Sequence, residues 1–437
     1  MNSPAILWAN CSQSILQGFA FIMNQLDAGL IFSDDRINTI DSTLAKGINA
    51  SIIHCYADDS GQNGRTVRVN GKELINCVSC GYFGLQTDPR IGDAVAKAAI
   101  KYGTNCSVSR TYLSAGIYTE FEDLLDQIYA PSFSLSTQSV TLGHFSLLSV
   151  MIQPGDIVLL DQQVHASVQM AATTIANKAK IHIVQHNNIK HLRRSLVHHS
   201  NNEQTNNIWY LGDGIYSMFG DFAPVADLLE LLDEFPNFYC YLDDAHGTSV
   251  FGEKGVGYVL SQCTPQHPKL IVAVSCAKCF GMGCGGALIF PNEEWRRKVR
   301  TCGSTMIFSG PIATPMIAAG IASAKIHLSN ELATMQSDIQ NLLVYFATGA
   351  ADLGLPIISQ KKSPIQYILV GSHEDALCVA RRVMDNGFLV NCCAYPAVPR
   401  QRCGIRLTIT RNLNKEDISA VLLSISDAIK SIKQQGA

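Results

Sequence analysis

Lys278 sits in SCAKCFGMGCGG, residues 275–286, with Cys276 and Cys279 near it and glycines just beyond. Four chemistries use such residues: a phosphate loop, a dinucleotide loop, a thiolate metal site, and a lysine that forms a Schiff base. GMGCGG at 281–286 matches G-x-G-x-x-G, but that pattern binds dinucleotides only where it follows a strand and opens a helix. Here the strand-like run ALIF comes next. A phosphate loop has its lysine after the glycines, and Lys278 precedes them. Two C-x2-C pairs, Cys77/Cys80 and Cys276/Cys279, could supply zinc thiolates. They lie far apart in apolar, strand-like stretches, which reads more simply as small buried thiols, and no metal is expected.

A lysine at the end of a buried strand is left. Read alone, it is as well explained as a solvated loop residue. To form a Schiff base with pyridoxal phosphate it needs an acid for the ring nitrogen, polar groups and a helix N-terminus for the phosphate, and a flat group on the ring. YLDDAHGTSVFGEKGVG at 241–257 puts Asp243, Asp244 and His246 at the end of an apolar run. Carboxylates there are costly without a partner; the alternative is a helix cap. DQQVHASVQMA offers His165, and TLGHFSLLS offers a turn, Gly143-His144-Phe145, leading into a helix.

The elements that must position these groups are legible as apolar runs. IHIVQH, IWYLGD, FYCYLDD, LIVAVS and GALIF read as strands buried on both faces, a parallel sheet covered by helices. Arg65–Ser79 alternates around Asn70-Gly71 and predicts a tight β-hairpin. Pro311 and Pro315 open one long helical stretch from Met316 to about Gly349. A strand at Pro364–Val370, a helix at Glu374–Asn386, a strand at Gly404–Ile409 and a helix at Asn414–Lys433 then suggest a smaller α+β domain. The expected division is an N-terminal helical arm (1–64), a large domain (65–310) and a small C-terminal domain (311–437).

The chain has 437 residues, 47% apolar and 16% charged, with a net charge of −3. That fits a globular chain of more than one domain and, lacking a long basic run, argues against nucleic acid as a partner. Fifteen cysteines without a repeating frame suit reduced thiols in a cytoplasmic enzyme. The first 26 residues carry no charge: no basic region marks a secretory signal, and polar residues interrupt the run too often for a membrane span. The expectation is a helix packed on the body or a partner; contact with a membrane surface is the alternative, without the usual Lys/Arg face.

In order, the motifs GYFGL, GHF, VHAS, DGIYSMFGD, DDAHGTSVFGEKGVG, SCAKCFG and IRLTIT resemble the α-oxoamine synthase family of fold-type I pyridoxal-phosphate enzymes, over roughly residues 65–430. The family includes 8-amino-7-oxononanoate synthase and serine palmitoyltransferase. The resemblance implies an α/β fold whose large domain has a mostly parallel seven-stranded sheet between helices, beside a smaller α+β domain. It implies Lys278 as the Schiff-base lysine and base at the substrate Cα, Asp243 on the pyridine nitrogen, His246 at the ring hydroxyl and His165 stacked on the ring. Gly143, His144 and Phe145 would form the phosphate-side turn. Ser275 would touch the phosphate region, Ser217 would lie near the ring hydroxyl, and Asp213 stands where several members have Glu. Arg406 would grip the amino-acid carboxylate.

Four stretches depart from the family pattern. Cys80 and Gly81 precede Tyr82 where an Asn is usual, which changes the substrate-side trio Arg406, Tyr82 and Cys80. Phe121 replaces a frequent His. Ser309-Gly310 stands for a Ser-Thr pair that reaches a neighbouring subunit's phosphate, and Arg411-Asn412-Leu413 replaces Ala-Ala-His.

The implied reaction is decarboxylative condensation of a small amino acid with an acyl-CoA or acyl-carrier-protein thioester to an α-amino ketone, in a homodimer. The alternatives are a fold-type I aminotransferase or lyase and, against the presence of Lys278, Asp243 and His246, a non-catalytic partner subunit.

Overall fold

Runs of Val, Ile and Leu bounded by turns become the central strands, because a sheet covered on both faces needs apolar side chains on both. The computed structural model describes residues 34–59, 61–202 and 205–435; the expected helix within residues 1–26 lies outside them. In chain order the strands are β1 (Thr66–Val69), β2 (Lys72–Asn76), β3 (Phe133–Thr137), β4 (Ile157–Asp161), β5 (Lys180–Val184), β6 (Ile208–Asp213) and β7 (Phe238–Asp243). They continue with β8 (Leu270–Ser275), β9 (Gly286–Phe290), β10 (Ile365–Gly371), β11 (Phe388–Leu389), β12 (Asn391–Cys393) and β13 (Cys403–Thr408).

Seven strands form the main sheet, in the order β3-β9-β8-β7-β6-β4-β5. The five from β8 to β5 are parallel, while β9 runs antiparallel to both β8 and β3. The five quoted runs all became strands of this sheet, and β3 and β4 complete it. Every residue of β4, β6, β8 and β9 is buried.

Register places the chemistry. Asp213 and Asp243 are direct neighbours across β6 and β7, and Asp161, Asp213, Asp243 and Ser275 each close a parallel strand. Open α/β sheets bind ligands at this carboxyl edge. The chain leaves it through loop 276–285, which carries Lys278, and returns as β9. Gly281 has φ +81°, and a Cβ there would meet the Leu85 Cβ at 2.4 Å. The glycines therefore serve a tight return between strands and do not open a helix.

The hairpin forms as predicted, with positive φ at Asn70 (51°) and Gly71 (76°), the turn whose twist matches its strands. Its second strand pairs in parallel with β11, so its hydrogen bonds join the C-terminal part of the chain. There β13 is the middle strand of β10-β13-β12. The single long helix expected from Met316 is instead two, Thr314–His327 and Glu331–Asp352. Leu328 closes the first, and Ser329 and Asn330 turn the chain before the second.

Candidate active site

Lys278 is half-buried at the carboxyl edge, with its amine enclosed and its Nζ 2.8 Å from His246 Nε2. His246 Nδ1 lies 2.7 Å from the Tyr82 hydroxyl. Burial lowers the Lys278 amine from its ordinary value, against the raising effect of Asp243, and burial beside Lys278 pushes His246 well down. A less protonated amine is what a nucleophilic lysine needs.

Asp243 supplies the opposite charge. Burial would raise its carboxyl, but His144, Lys278 and His165 outweigh it and hold it at about 2. Oδ1 accepts from the Ala245 N–H at 3.0 Å. His144 Nε2 lies 3.2 Å from Oδ2, and its Nδ1 is held by the Tyr241 hydroxyl at 2.5 Å. A buried charged carboxylate with this little direct pairing has room for a cationic partner. The neighbouring Asp213 is pushed up by burial and by Asp243; its Oδ1 accepts from the His165 N–H at 3.0 Å. That bond fixes the start of helix Ala166–Thr173, where the His165 ring, lowered by burial, bonds Ser167 Oγ at 2.6 Å.

These groups line one cavity of about 250 Å³, with Lys278, Asp243, Asp213, His165, His246 and Ser275 in its wall. Ser275 Oγ accepts from the Ala277 N–H at 3.2 Å. Gln138, Ser139, Val140 and Thr141 close the cavity's other side. Here the structure corrects the expected phosphate turn. Helix Val140–Met151 begins three residues before Gly143, with Ser139 as its cap (Leu142 N to Ser139 Oγ, 3.2 Å). Gly143, His144 and Phe145 are therefore inside the helix: His144 faces Asp243, and Phe145 packs against an apolar cluster. The free N–H groups and positive dipole end belong to residues 139–141. A capping Ser ahead of an apolar run is the signal that would have located this start.

Ser309 is apart from this cavity, its hydroxyl donating to the Thr305 carbonyl at 2.6 Å. Ser217 contributes its carbonyl, which accepts from Arg406 Nε at 2.7 Å. Arg406 Nη2 lies 3.9 Å from Cys80 Sγ, so Arg406, Cys80 and Ser217 form one cluster, and Tyr82 joins it to Lys278 through His246. Thr248, within the quoted DDAHGTSVFGEKGVG run but assigned no role there, accepts through Oγ1 from the Ser275 N–H at 3.4 Å. Among the described residues no three or more His, Cys, Asp or Glu side chains converge as a metal site.

A buried amine, a low-pKa carboxylate and a capped helix N-terminus around one cavity at a parallel sheet's carboxyl edge suit an anionic ring cofactor held covalently. Matching residues 84–425 to the model for aminotransferases of class I and II gives the family to which this chain belongs.

The 8-amino-7-oxononanoate synthase of Thermoanaerobacter pseudethanolicus is 26% identical over 368 residues, covering 83% of this chain and 90% of that protein. That of Symbiobacterium thermophilum is 28% identical over 373 residues, covering 84% and 91%. The solved serine palmitoyltransferase of Sphingomonas wittichii superposes with TM-score 0.83 at 20% identity, covering 92% of this chain and 98% of that one.

Proposed function

We propose that this protein is a pyridoxal-phosphate enzyme that condenses a small amino acid with an acyl thioester, releasing CO2 and leaving an α-amino ketone. The observation that carries it is the buried Lys278 amine sharing one cavity with Asp243, His165 and the helix start at 139–141. The relatives bear the names of α-oxoamine synthases. When bound there, the cofactor supplies an electron sink for a carbanion at the substrate Cα.

The chain's own residues do the rest. Lys278 would hold the cofactor covalently and move the proton at Cα, and Asp243 would keep the ring nitrogen protonated. His165 would stack on the ring, and His246, steadied by Tyr82, would meet its hydroxyl. Ser139, Thr141 and Ser275 would hold the phosphate. Arg406, with its planar fork, would grip the substrate carboxylate beside Cys80.

We also propose a homodimer. Tyr112, Leu113 and Phe308 are exposed, and Ser109 Oγ, donating to the Ile307 carbonyl at 2.7 Å, brings the turn before Tyr112 against the helix Ser304–Phe308. Such a grouping of large apolar side chains is unusual on a monomer. Ser309 follows Phe308, where a second subunit's site would reach it. Among the described residues no helix is long and apolar enough to cross a membrane.

The test is product analysis after adding pyridoxal phosphate, amino acids and acyl thioesters. Free thiol and CO2 support the synthase; a keto acid formed without thiol release would assign an aminotransferase instead. Borohydride should fix the cofactor on the peptide containing Lys278.

A further inference from the structure

Behind the cavity wall lies a second charged cluster that the reaction does not use. His186, just beyond β5, places Nδ1 2.9 Å from Asp161 Oδ1 and Nε2 2.5 Å from Asp221 Oδ2. A carboxylate only accepts, so both ring nitrogens must donate and the ring is an imidazolium. Asn187, at φ 49°, completes the clamp. Its N–H donates to Asp161 Oδ2 at 3.1 Å, and its Nδ2 donates to Asp221 Oδ2 at 3.0 Å and to the Phe222 carbonyl at 3.1 Å.

Asp221 ends the loop that follows β6. That loop is closed by the Ile215–Phe222 bridge and by Tyr216 N to the Asp221 carbonyl at 2.9 Å. Its tip, Gly220, lies so close to β10 that a Cβ would come within 2.3 Å of the Ile365 carbonyl. Between them sits Ser217, whose carbonyl holds Arg406.

We propose that His186 is a positioning residue: a cation clamped between Asp161 and Asp221, it fixes loop 214–222 and, through Ser217, the reach of Arg406. The clamp responds to pH. Burial opposes the charge on His186, but the two carboxylates outweigh it and hold the ring at about 9. A histidine raised from an ordinary 6.5 to about 9 contributes fully below about pH 6.5 and loses that contribution progressively as pH rises from there through about 9. The other groups facing it are the Tyr216 ring, 4.4 Å away and edge-on, the Tyr210 hydroxyl, which donates to Asp161 at 3.1 Å, and Asp213, which senses Asp161. Burial holds both phenols protonated, so His186 is the group that switches.

The test is His186→Gln, read in two ways. Amide deuterium exchange at neutral pH should rise within residues 214–222 relative to wild type. The KM for the amino acid should rise on the order of tenfold with kcat nearly unchanged, and the variant-to-wild-type KM ratio should fall toward one above pH 9, as the wild-type ring loses its proton. The ratio cancels titration of the substrate amine. The KM readout rests on the amino-acid-binding role proposed above; the exchange readout does not, so a chain that turned over no amino acid would still test the clamp.

Unchanged exchange in 214–222 overturns the proposal. So does faster exchange with unchanged KM, which would make the clamp structural only. A KM ratio that persists to pH 10 overturns the role of the charge. If His186→Gln fails to fold, Asp221→Asn keeps an acceptor for Nε2 and should move the pH at which wild-type-like KM is lost below 9; no movement overturns the proposal.

Discussion

Replacing Asp243 with Asn removes a charge and almost no volume. The amide oxygen can still accept from the Ala245 N–H, so the local backbone has no reason to move. The carboxyl sits at about 2 against an ordinary 3.8, so its surroundings favour the charged form by about 2 kcal/mol before any cofactor is present. Removing one partner of a buried charge pair costs ~3–5 kcal/mol, and each 1.4 kcal/mol is about tenfold in rate or affinity. Asp243→Asn should therefore lower kcat about 10²–10³-fold and weaken pyridoxal phosphate binding, measured by thiol release and by spectral titration. The stability of the cofactor-free protein gives a second readout with a worked sign. A carboxyl held below its unfolded value contributes stability above about pH 4 and loses it as pH falls through about 2. The variant should thus be less stable than wild type at neutral pH, and the gap should close on acidification. A kcat within threefold of wild type would refute the pairing of Asp243 with the ring nitrogen.

Three further outcomes follow from the same geometry. Arg406→Lys loses the planar fork and should raise the amino-acid KM about 10–100-fold, the worth of a charge-assisted hydrogen bond, while kcat changes little; steady-state kinetics at varied amino acid checks this. Ser139→Ala removes the cap at the phosphate end of the cavity and should cost about 1 kcal/mol of stability in thermal melts, together with weaker retention of the cofactor on dialysis. Burial pushes the Cys276 thiol up to about 12 and raises Cys279 as well, so neither is a ready thiolate. Iodoacetamide at neutral pH should leave both unmodified by peptide mapping, and Cys276→Ser with Cys279→Ser should retain turnover at some cost in stability.

The parts of the fold and site legible in sequence were those governed by local rules. Five strands announced themselves as apolar runs, although β5, at the sheet edge, is only half covered; the hairpin did so through Asn70-Gly71, and Lys278, Asp243, His246 and His165 through placement at strand and helix ends. The misread phosphate turn shows the limit. GHF has a glycine ahead of an apolar run and resembles a turn, yet the chain was already helical from Val140 because Ser139 caps it, and His144 found its partners, Asp243 and Tyr241, on a distant strand. The split of the helix after His327 is a tertiary effect: the helix to His327 packs against Pro89–Tyr102 and Ile117–Tyr129, whereas Glu331–Asp352 packs against the C-terminal helix Lys415–Gln435. Long-range polar networks such as Asp161–His186–Asp221 join residues with no shared periodicity, so nothing local marks them.

The most direct test of the central claim uses an amino acid labelled in its carboxyl carbon, incubated with the pyridoxal-phosphate-loaded protein and an acyl thioester. Decarboxylative condensation at Lys278 requires labelled CO2 and free thiol in equal amounts, each dependent on both substrates and absent in Lys278→Ala. Label released without thiol, thiol released without label, or equal turnover by Lys278→Ala would contradict it.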